Sequence, residues 1–265
     1  MEKCITIGIF DSGYGGLSVL REAARSLRDV NFLYYADTDH VPYGNKSNAQ
    51  ILQYSEDAVR FLREEGADAV IIACNTASAV SAAALRSRYE FPIIAMEPAV
   101  KPALHEDHAD RVLVMATPVT LREEKLKNLI TREHAQTRVD LLPMPQLVTF
   151  AEEEIFDGAQ AEAYVAMQLS GCDLTHTSAV VLGCTHFNYF KPLLRRVLWG
   201  YFRVSPHIIE GSAGTVRRAA DLMHLSCGGN RGQETGRTRF FCSGRCADAD
   251  ELDHISRLLA QLERA

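Results

Sequence analysis

The 265-residue sequence predicts an α/β protein: two pseudo-symmetric lobes, each a parallel sheet covered by helices, with a site in the cleft between them. Three observations carry this expectation. Short uncharged runs rich in β-branched residues alternate with helical patterns, as they do where parallel strands are joined by crossover helices. The runs lack a polar face, so both faces of each strand are expected to be buried. Finally, residues 68–76 (D-A-V-I-I-A-C-N-T) and 178–186 (S-A-V-V-L-G-C-T-H) are near copies in opposite halves of the chain.

Taken in order, residues 5–10 form the first expected strand, and 17–27, after a glycine-rich stretch, the first helix. A strand at 31–36 precedes a long helix at 49–65, and a strand at 69–73 precedes a helix at 77–89. Strands at 92–95 and 111–116 lead to a helix at 121–134, and a strand at 138–142 leads to a helix at 159–170. Residues 179–183, 204–209 and 238–242 are the remaining strands, interleaved with helices at 191–198, 215–224 and 248–263. Helices are assigned where apolar residues recur at three- and four-residue intervals, strands where short apolar runs are bounded by turn residues. Glu97-Pro98 and Glu210-Gly211-Ser212 read as crossovers. They divide the chain into a first lobe, residues 1–97 plus 211–265, holding Asp11 and Cys74, and a second, residues 98–210, holding Cys184 and His186. Residues 227–236, rich in Gly, Asn and Gln, read as a surface loop.

Composition narrows the function classes. Hydrophobic residues make up 47% and charged residues 23%, ordinary for a globular protein. A net charge of −6 with no basic stripe argues against a nucleic-acid partner. The first apolar run is too short for a signal core or a membrane span, so no membrane association is expected. Seven irregularly spaced cysteines suit reduced thiols in the cytoplasm better than a disulfide framework.

The chemistry concentrates at strand ends. Residues 11–16 (D-S-G-Y-G-G) follow a strand and open a helix, where glycines expose backbone amides to an anion. A dinucleotide fingerprint, with Asp37 or Asp39 on the ribose, is disfavoured because Ser18 stands where the third glycine belongs and Asp11 would face the pyrophosphate. Asp11 reads either as a helix cap or as an acid/base group facing the same cleft as Cys74. Cys74 and Cys184 each end a buried strand and are followed by polar pairs, Asn75-Thr76 and Thr185-His186. A helix N-terminus after Cys74 would lower its thiol pKa, and His186 is placed to tune Cys184 or relay its proton. Two matched thiols suit removal of a proton from one face of a carbon and its return to the other. A Cys–His hydrolytic dyad would use one thiol and leave the matched one unexplained. Cys242-x-x-x-Cys246 with Cys227, or His105-x-x-His108, gives no ordered zinc set, so no metal is expected. No lysine context suggests a pyridoxal Schiff base.

Six segments together resemble the cofactor-independent aspartate/glutamate racemases, and glutamate racemases in particular. They are I-G-I-F-D-S-G-Y-G-G-L-S-V (7–19), Y-Y-A-D-T-D-H-V-P-Y-G-N-K-S (34–47), I-I-A-C-N-T-A-S-A (71–79), E-P-A-V-K-P-A (97–103), V-L-G-C-T-H-F (181–187) and F-F-C-S-G (240–244). The resemblance implies Cys74 and Cys184 as catalytic thiols, Asp11 as partner of Cys74 and His186 as partner of Cys184. It implies substrate contacts at Ser12, Pro42, Tyr43, Gly44, Asn75, Thr76, Thr117, Thr120 and Thr185. A functional glutamate follows the Pro145-Gln146-Leu147-Val148 segment and aligns with Glu152, although Glu153 and Glu154 come next. Glu123, Met144, Thr149 and Asn188 depart from the pattern, where serine, cysteine, proline and proline are usual.

What the resemblance implies for activity is interconversion of L- and D-glutamate with no cofactor, supplying D-glutamate for peptidoglycan. The same fold with aspartate or another acidic amino acid as substrate, or an inactive ligand-binding relative, are the alternatives. Relatives are often dimers, in differing arrangements, so a homodimer is one assembly the resemblance allows.

Overall fold

The computed structural model describes residues 4–106, 110–226 and 236–265. Its first sheet is built from β1 (Ile5–Asp11), β2 (Val30–Ala36), β3 (Ala69–Ile72), β4 (Ile93–Ala95), β9 (Thr238–Cys242) and β10 (Arg245–Cys246), in the order β10-β9-β2-β1-β3-β4. The second contains β5 (Arg111–Ala116), β6 (Val139–Pro143), β7 (Thr177–Gly183) and β8 (His207–Glu210), in the order β6-β5-β7-β8. Every described pairing is parallel except β9 with β10, an antiparallel edge that the sequence pattern did not anticipate. β10 is two residues of Arg and Cys, too short and too polar to show periodicity.

The two sheets share one winding order. β1 is flanked by β2 and β3, with β4 outside; β5 is flanked by β6 and β7, with β8 outside. In each, the chain leaves the first strand toward one side and returns on the other, which puts the switch point of the winding, where open α/β sheets place their ligands, at the carboxyl ends of β1 and β3, and of β5 and β7. Cys74 follows β3 and Cys184 follows β7. The repeat visible in the sequence is therefore a repeat of equivalent strands.

Strand side chains alternate between two covered faces, as expected for buried parallel sheets. Ile7 and Ile9 of β1, Ile71 of β3, Leu113 and Met115 of β5, and Val180 and Leu182 of β7 join one cluster common to both sheets. On the outer faces, Phe10, Val70 and Ile72 pack in a second cluster, and Val112, Val114 and Val181 in a third. One continuous apolar layer thus ties the sheets together.

The helices are α1 (Leu17–Ser26), α2 (Asn48–Glu64), α3 (Asn75–Arg88), α4 (Val100–Leu104), α5 (Pro118–Arg122), α6 (Glu124–Arg132), α7 (Gln146–Glu152), α8 (Ala159–Leu169), α9 (Lys191–Phe202), α10 (Ser212–Met223) and α11 (Ala249–Arg264). Capping boxes start α2, from Ser47 and Gln50, and α11, from Asp248 and Glu251. The single helix expected at 121–134 is two, because Glu123 leaves the helical region at φ −65°, ψ 137° between α5 and α6. The strand expected from residue 204 starts at His207. Short α4 and α7 were not anticipated; neither is long enough to establish a 3.6-residue period. Most of the loop expected at 227–236 lies outside the described residues, as do His108 and Cys227. Among the described residues, no helix is long and apolar enough to cross a membrane, and no three His, Cys, Asp or Glu side chains gather as a metal cluster.

Candidate active site

The stretch after β1 occupies the centre of the site. Asp11, fully buried, receives a hydrogen bond from the Gly13 N–H at 3.0 Å and another from the Thr185 hydroxyl at 3.0 Å. Ser12 Oγ lies 3.2 Å from Cys74 Sγ. The Tyr14 N–H donates to Glu152 at 3.1 Å. One short loop on the first sheet therefore touches groups that follow β3 of its own sheet and groups of the second sheet.

Glycine is required here by space. A Cβ on Gly15 would fall 2.5 Å from Thr185 Oγ1 and 2.6 Å from the His186 backbone nitrogen; on Gly16 it would meet the Asp11 Cβ at 2.6 Å. These separations are below any real carbon contact, so the loop and the Thr185-His186 turn are in direct apposition.

Cys74 caps α3, its sulfur accepting the Ala77 N–H at 3.4 Å. The expected lowering of its pKa is not found. Burial pushes the Cys74 thiol up to about 12, the Asp11 carboxylate adds to the shift, and the Ser12 and Ala77 contacts oppose it only in part. A helix amide offers a partial charge, whereas losing water costs the thiolate most of its solvation. Beyond Cys74, Thr76 Oγ1 is 2.9 Å from Thr117 Oγ1 and 3.1 Å from Thr120 Oγ1, with Thr117 donating to Thr120 at 3.0 Å. This buried hydroxyl triad joins α3 to the end of β5. Asn75 is buried with its amide donating to Met96 Sδ and its carbonyl oxygen unpartnered among the described residues.

Cys184 lies 3.7 Å from His186 Nδ1, and His186 Nε2 lies 2.5 Å from Glu152. Burial opposes the charged imidazole, but Cys184 and Glu152 outweigh it and hold His186 well above the usual range. Burial likewise raises Glu152, yet the His186 pairing and the Tyr14 amide bring it below the usual carboxylate range. The two form a charged pair in which both imidazole nitrogens donate, one to the carboxylate and one toward the sulfur. Of the three consecutive glutamates, Glu152 is the one that reaches His186; Glu154 instead pairs with His254 and Arg257. α7, missed in the sequence, is what carries Glu152 there.

Pro42, Tyr43 and Gly44 border the same region. Tyr43 OH donates to Asp37 at 2.6 Å, and a Cβ on Gly44 would contact Thr117 at 3.2 Å. Asp37 also receives His40 Nδ1 at 2.8 Å and the Ser243 hydroxyl at 3.1 Å, so its carboxylate is committed to holding this turn. Sequence reasoning missed Asp37 in that role and missed Tyr34 and Tyr189, whose hydroxyls bind the carbonyls of Gly13 and Tyr14 at 2.9 and 2.7 Å. A buried Tyr, whether in a strand like Tyr34 or in the turn after β7 like Tyr189, reads as core, and only the fold shows where its hydroxyl ends.

Asp11 yields a pH prediction. Burial raises it to about 6, the His186 charge opposing. Between the unfolded value of 3.8 and about 6 the folded protein binds more protons, so stability is lost as pH rises through that window. Asp11→Asn is expected to raise unfolding stability at pH 8 by about 1–3 kcal/mol, a gain that fades below about pH 5. Denaturant unfolding of both proteins at the two pH values checks it; equal stability at pH 8 would contradict the burial argument.

The chain as a whole is similar to known proteins. The Asp/Glu/Hydantoin racemase family matches residues 7–219. A glutamate racemase from Campylobacter concisus is 47% identical over 261 residues, covering 97% of each chain. The crystal structure of glutamate racemase from Francisella tularensis in complex with D-glutamate superposes with a TM-score of 0.78 at 25% identity, covering 97% of this chain and 94% of that one. The Escherichia coli enzyme, solved with L-glutamate and the activator UDP-MurNAc-Ala, gives a TM-score of 0.78 at 28% identity over 98% and 96%. With a family match over most of the chain and a near-half-identical relative along its length, this chain belongs to the Asp/Glu/Hydantoin racemase family.

Proposed function

We propose that the protein interconverts L- and D-glutamate without a cofactor, using Cys74 and Cys184 on opposite sides of the substrate Cα. The observation that carries this reading is the loop after β1, which contacts Cys74 through Ser12 and reaches the Cys184–His186 turn through Asp11 and Gly15. Glutamate as substrate is supported by relatives named glutamate racemase and by solved relatives holding D- and L-glutamate. The site sits between a first lobe, residues 1–97 plus 211–265, and a second, residues 98–210.

In this mechanism one thiolate removes the Cα proton while the opposite thiol supplies one, and the roles exchange for the other enantiomer. Cys74, held protonated by burial and by Asp11, is the resting donor. The charged His186, anchored by Glu152, gives or takes a proton at Cys184. By analogy with the family, Cys184 deprotonates L-glutamate and Cys74 deprotonates D-glutamate. Each positioned base is worth about 10²–10⁴ in rate. The rest comes from stabilising the carbanion and carboxylates in a cleft closed to water, where the substrate contacts that the family resemblance implies are Ser12, Asn75, Thr76, Thr117, Thr120, Thr185 and the turn at Pro42, Tyr43 and Gly44. The role is supply of D-glutamate to peptidoglycan in the cytoplasm.

Purified protein incubated with L-glutamate and no added cofactor is expected to lose optical activity by circular dichroism, with solvent deuterium entering Cα in heavy water. A change with L-aspartate alone moves the substrate assignment. Ligand-dependent stabilisation without turnover would leave a binding protein.

A further inference from the structure

We infer that Asn188 is a positioning residue, which with Ser18 forms a buried hydrogen-bond clamp between the two lobes and sets the Thr185-His186 turn beside Cys184. The inference rests on the racemase reading above.

Both side chains are 3% exposed. Ser18, in the first turn of α1, donates its hydroxyl to the Gly15 carbonyl at 2.9 Å, so its oxygen is left to accept. The Asn188 amide donates to that oxygen at 3.3 Å and to the Thr185 carbonyl at 3.1 Å. Both partners are acceptors, which fixes the orientation of the amide: the flipped form would set its carbonyl oxygen against them. The clamp therefore grips two segments in direct apposition. Gly15, on one side, approaches Thr185 and His186 so closely that a Cβ cannot be added.

Two features separate this pair from ordinary core packing. The carbonyls of Gly13, Tyr14 and Gly15 are each held by a buried hydroxyl, from Tyr34, Tyr189 and Ser18. Tyr189 reaches across from the second lobe directly, whereas Ser18 belongs to the first lobe and is itself gripped from the second by Asn188. Meanwhile Asn188 Oδ1 is buried with no partner among the described residues. An unsatisfied buried acceptor is destabilising, a burden that a residue serving stability alone has no reason to carry. What Asn188 supplies is two donors at one point. Proline, which the family resemblance expects here, supplies none. Because a displacement of about 1 Å at a reacting group can cost 10²-fold in rate, the clamp acts on catalysis through the placement of Thr185 and His186.

The test uses Asn188→Ala, Ser18→Ala and the double variant in the full-length enzyme, with glutamate deuterated at Cα. Each single variant is expected to lose about tenfold in kcat/KM, with the double no worse than the weaker single. The loss is equal in both directions, because two enantiomers have the same free energy. The deuterium isotope effect separates the half-sites. It should rise for the enantiomer whose proton goes to Cys184 and fall for the other, a signature general loosening would not give. Asn188→Leu keeps the size and removes the donors without burying a charge, so it carries the test if the alanine variant does not fold. Wild-type turnover in both single variants overturns the clamp, as do additive losses with isotope effects moving alike for both enantiomers. If the wild-type protein fails to racemise glutamate, the functional reading falls and the clamp with it; an active wild type beside an indifferent Asn188→Ala removes the clamp alone.

Discussion

Replacing either Cys74 or Cys184 by serine is expected to lower glutamate interconversion by at least about 10³-fold, since a hydroxyl at the same place is a far weaker acid and its alkoxide is inaccessible at neutral pH. The loss is the same from L- and from D-glutamate. What differs is the half-reaction that survives. With Cys74→Ser, the enantiomer facing Cys184 can still give up its Cα proton and regain one on the same face, so in heavy water it exchanges without inverting. With Cys184→Ser, the opposite enantiomer does so. Proton NMR of the Cα position alongside circular dichroism reads both quantities. Near-normal interconversion in either variant sinks the two-thiol mechanism, as does exchange of both enantiomers by the same variant.

Gly15→Ala is the second large effect, and the residue replaced carries no ionisable group of its own. The added methyl would sit 2.6 Å from the His186 backbone nitrogen and 2.7 Å from its Nδ1. A flexible side-chain tip could yield, but the backbone of a buried turn cannot without moving the residues that hang from it. Forcing a carbon into such a packed contact costs about 1–3 kcal/mol of stability. The accompanying displacement of His186 from Cys184 is expected to reduce kcat by about 10²-fold. Activity and thermal unfolding measured on one preparation check both. An active, unshifted Gly15→Ala protein would show that the loop and turn are not in contact.

Several parts of the fold and site were legible in the chain itself. The near-duplicate runs at 68–76 and 178–186 correspond to β3 and β7, equivalent strands of two sheets wound in one order. They were readable because a strand covered on both faces must be apolar throughout, and its end is the first place a polar residue can stand. The glycines at 13, 15 and 16 were read as freedom for the backbone. Their more pressing reason is lack of room, which depends on what lies opposite.

Glu152 was located through resemblance alone. The seven residues of α7 are too few to show a period, and which of three glutamates points inward depends on how that helix docks. The direction of the Cys74 pKa was misread because a helix N-terminus is a local feature, whereas burial depends on the whole molecule. Asn188 carried no signal beyond its departure from an expected proline. Its donors acquire a purpose only when Ser18, far away in sequence, is brought to 3.3 Å.

By itself, the amino-acid order determined the alternation of buried strands and covering helices, the ends where polar chemistry can emerge, and the pairing of two thiols in repeated settings. These are short-range consequences of hydrophobic periodicity and turn chemistry. Tertiary structure alone decided which groups share a proton, how far each pKa moves and where a methyl cannot fit. Such properties depend on distance and lost solvent between segments that the chain keeps far apart until it folds.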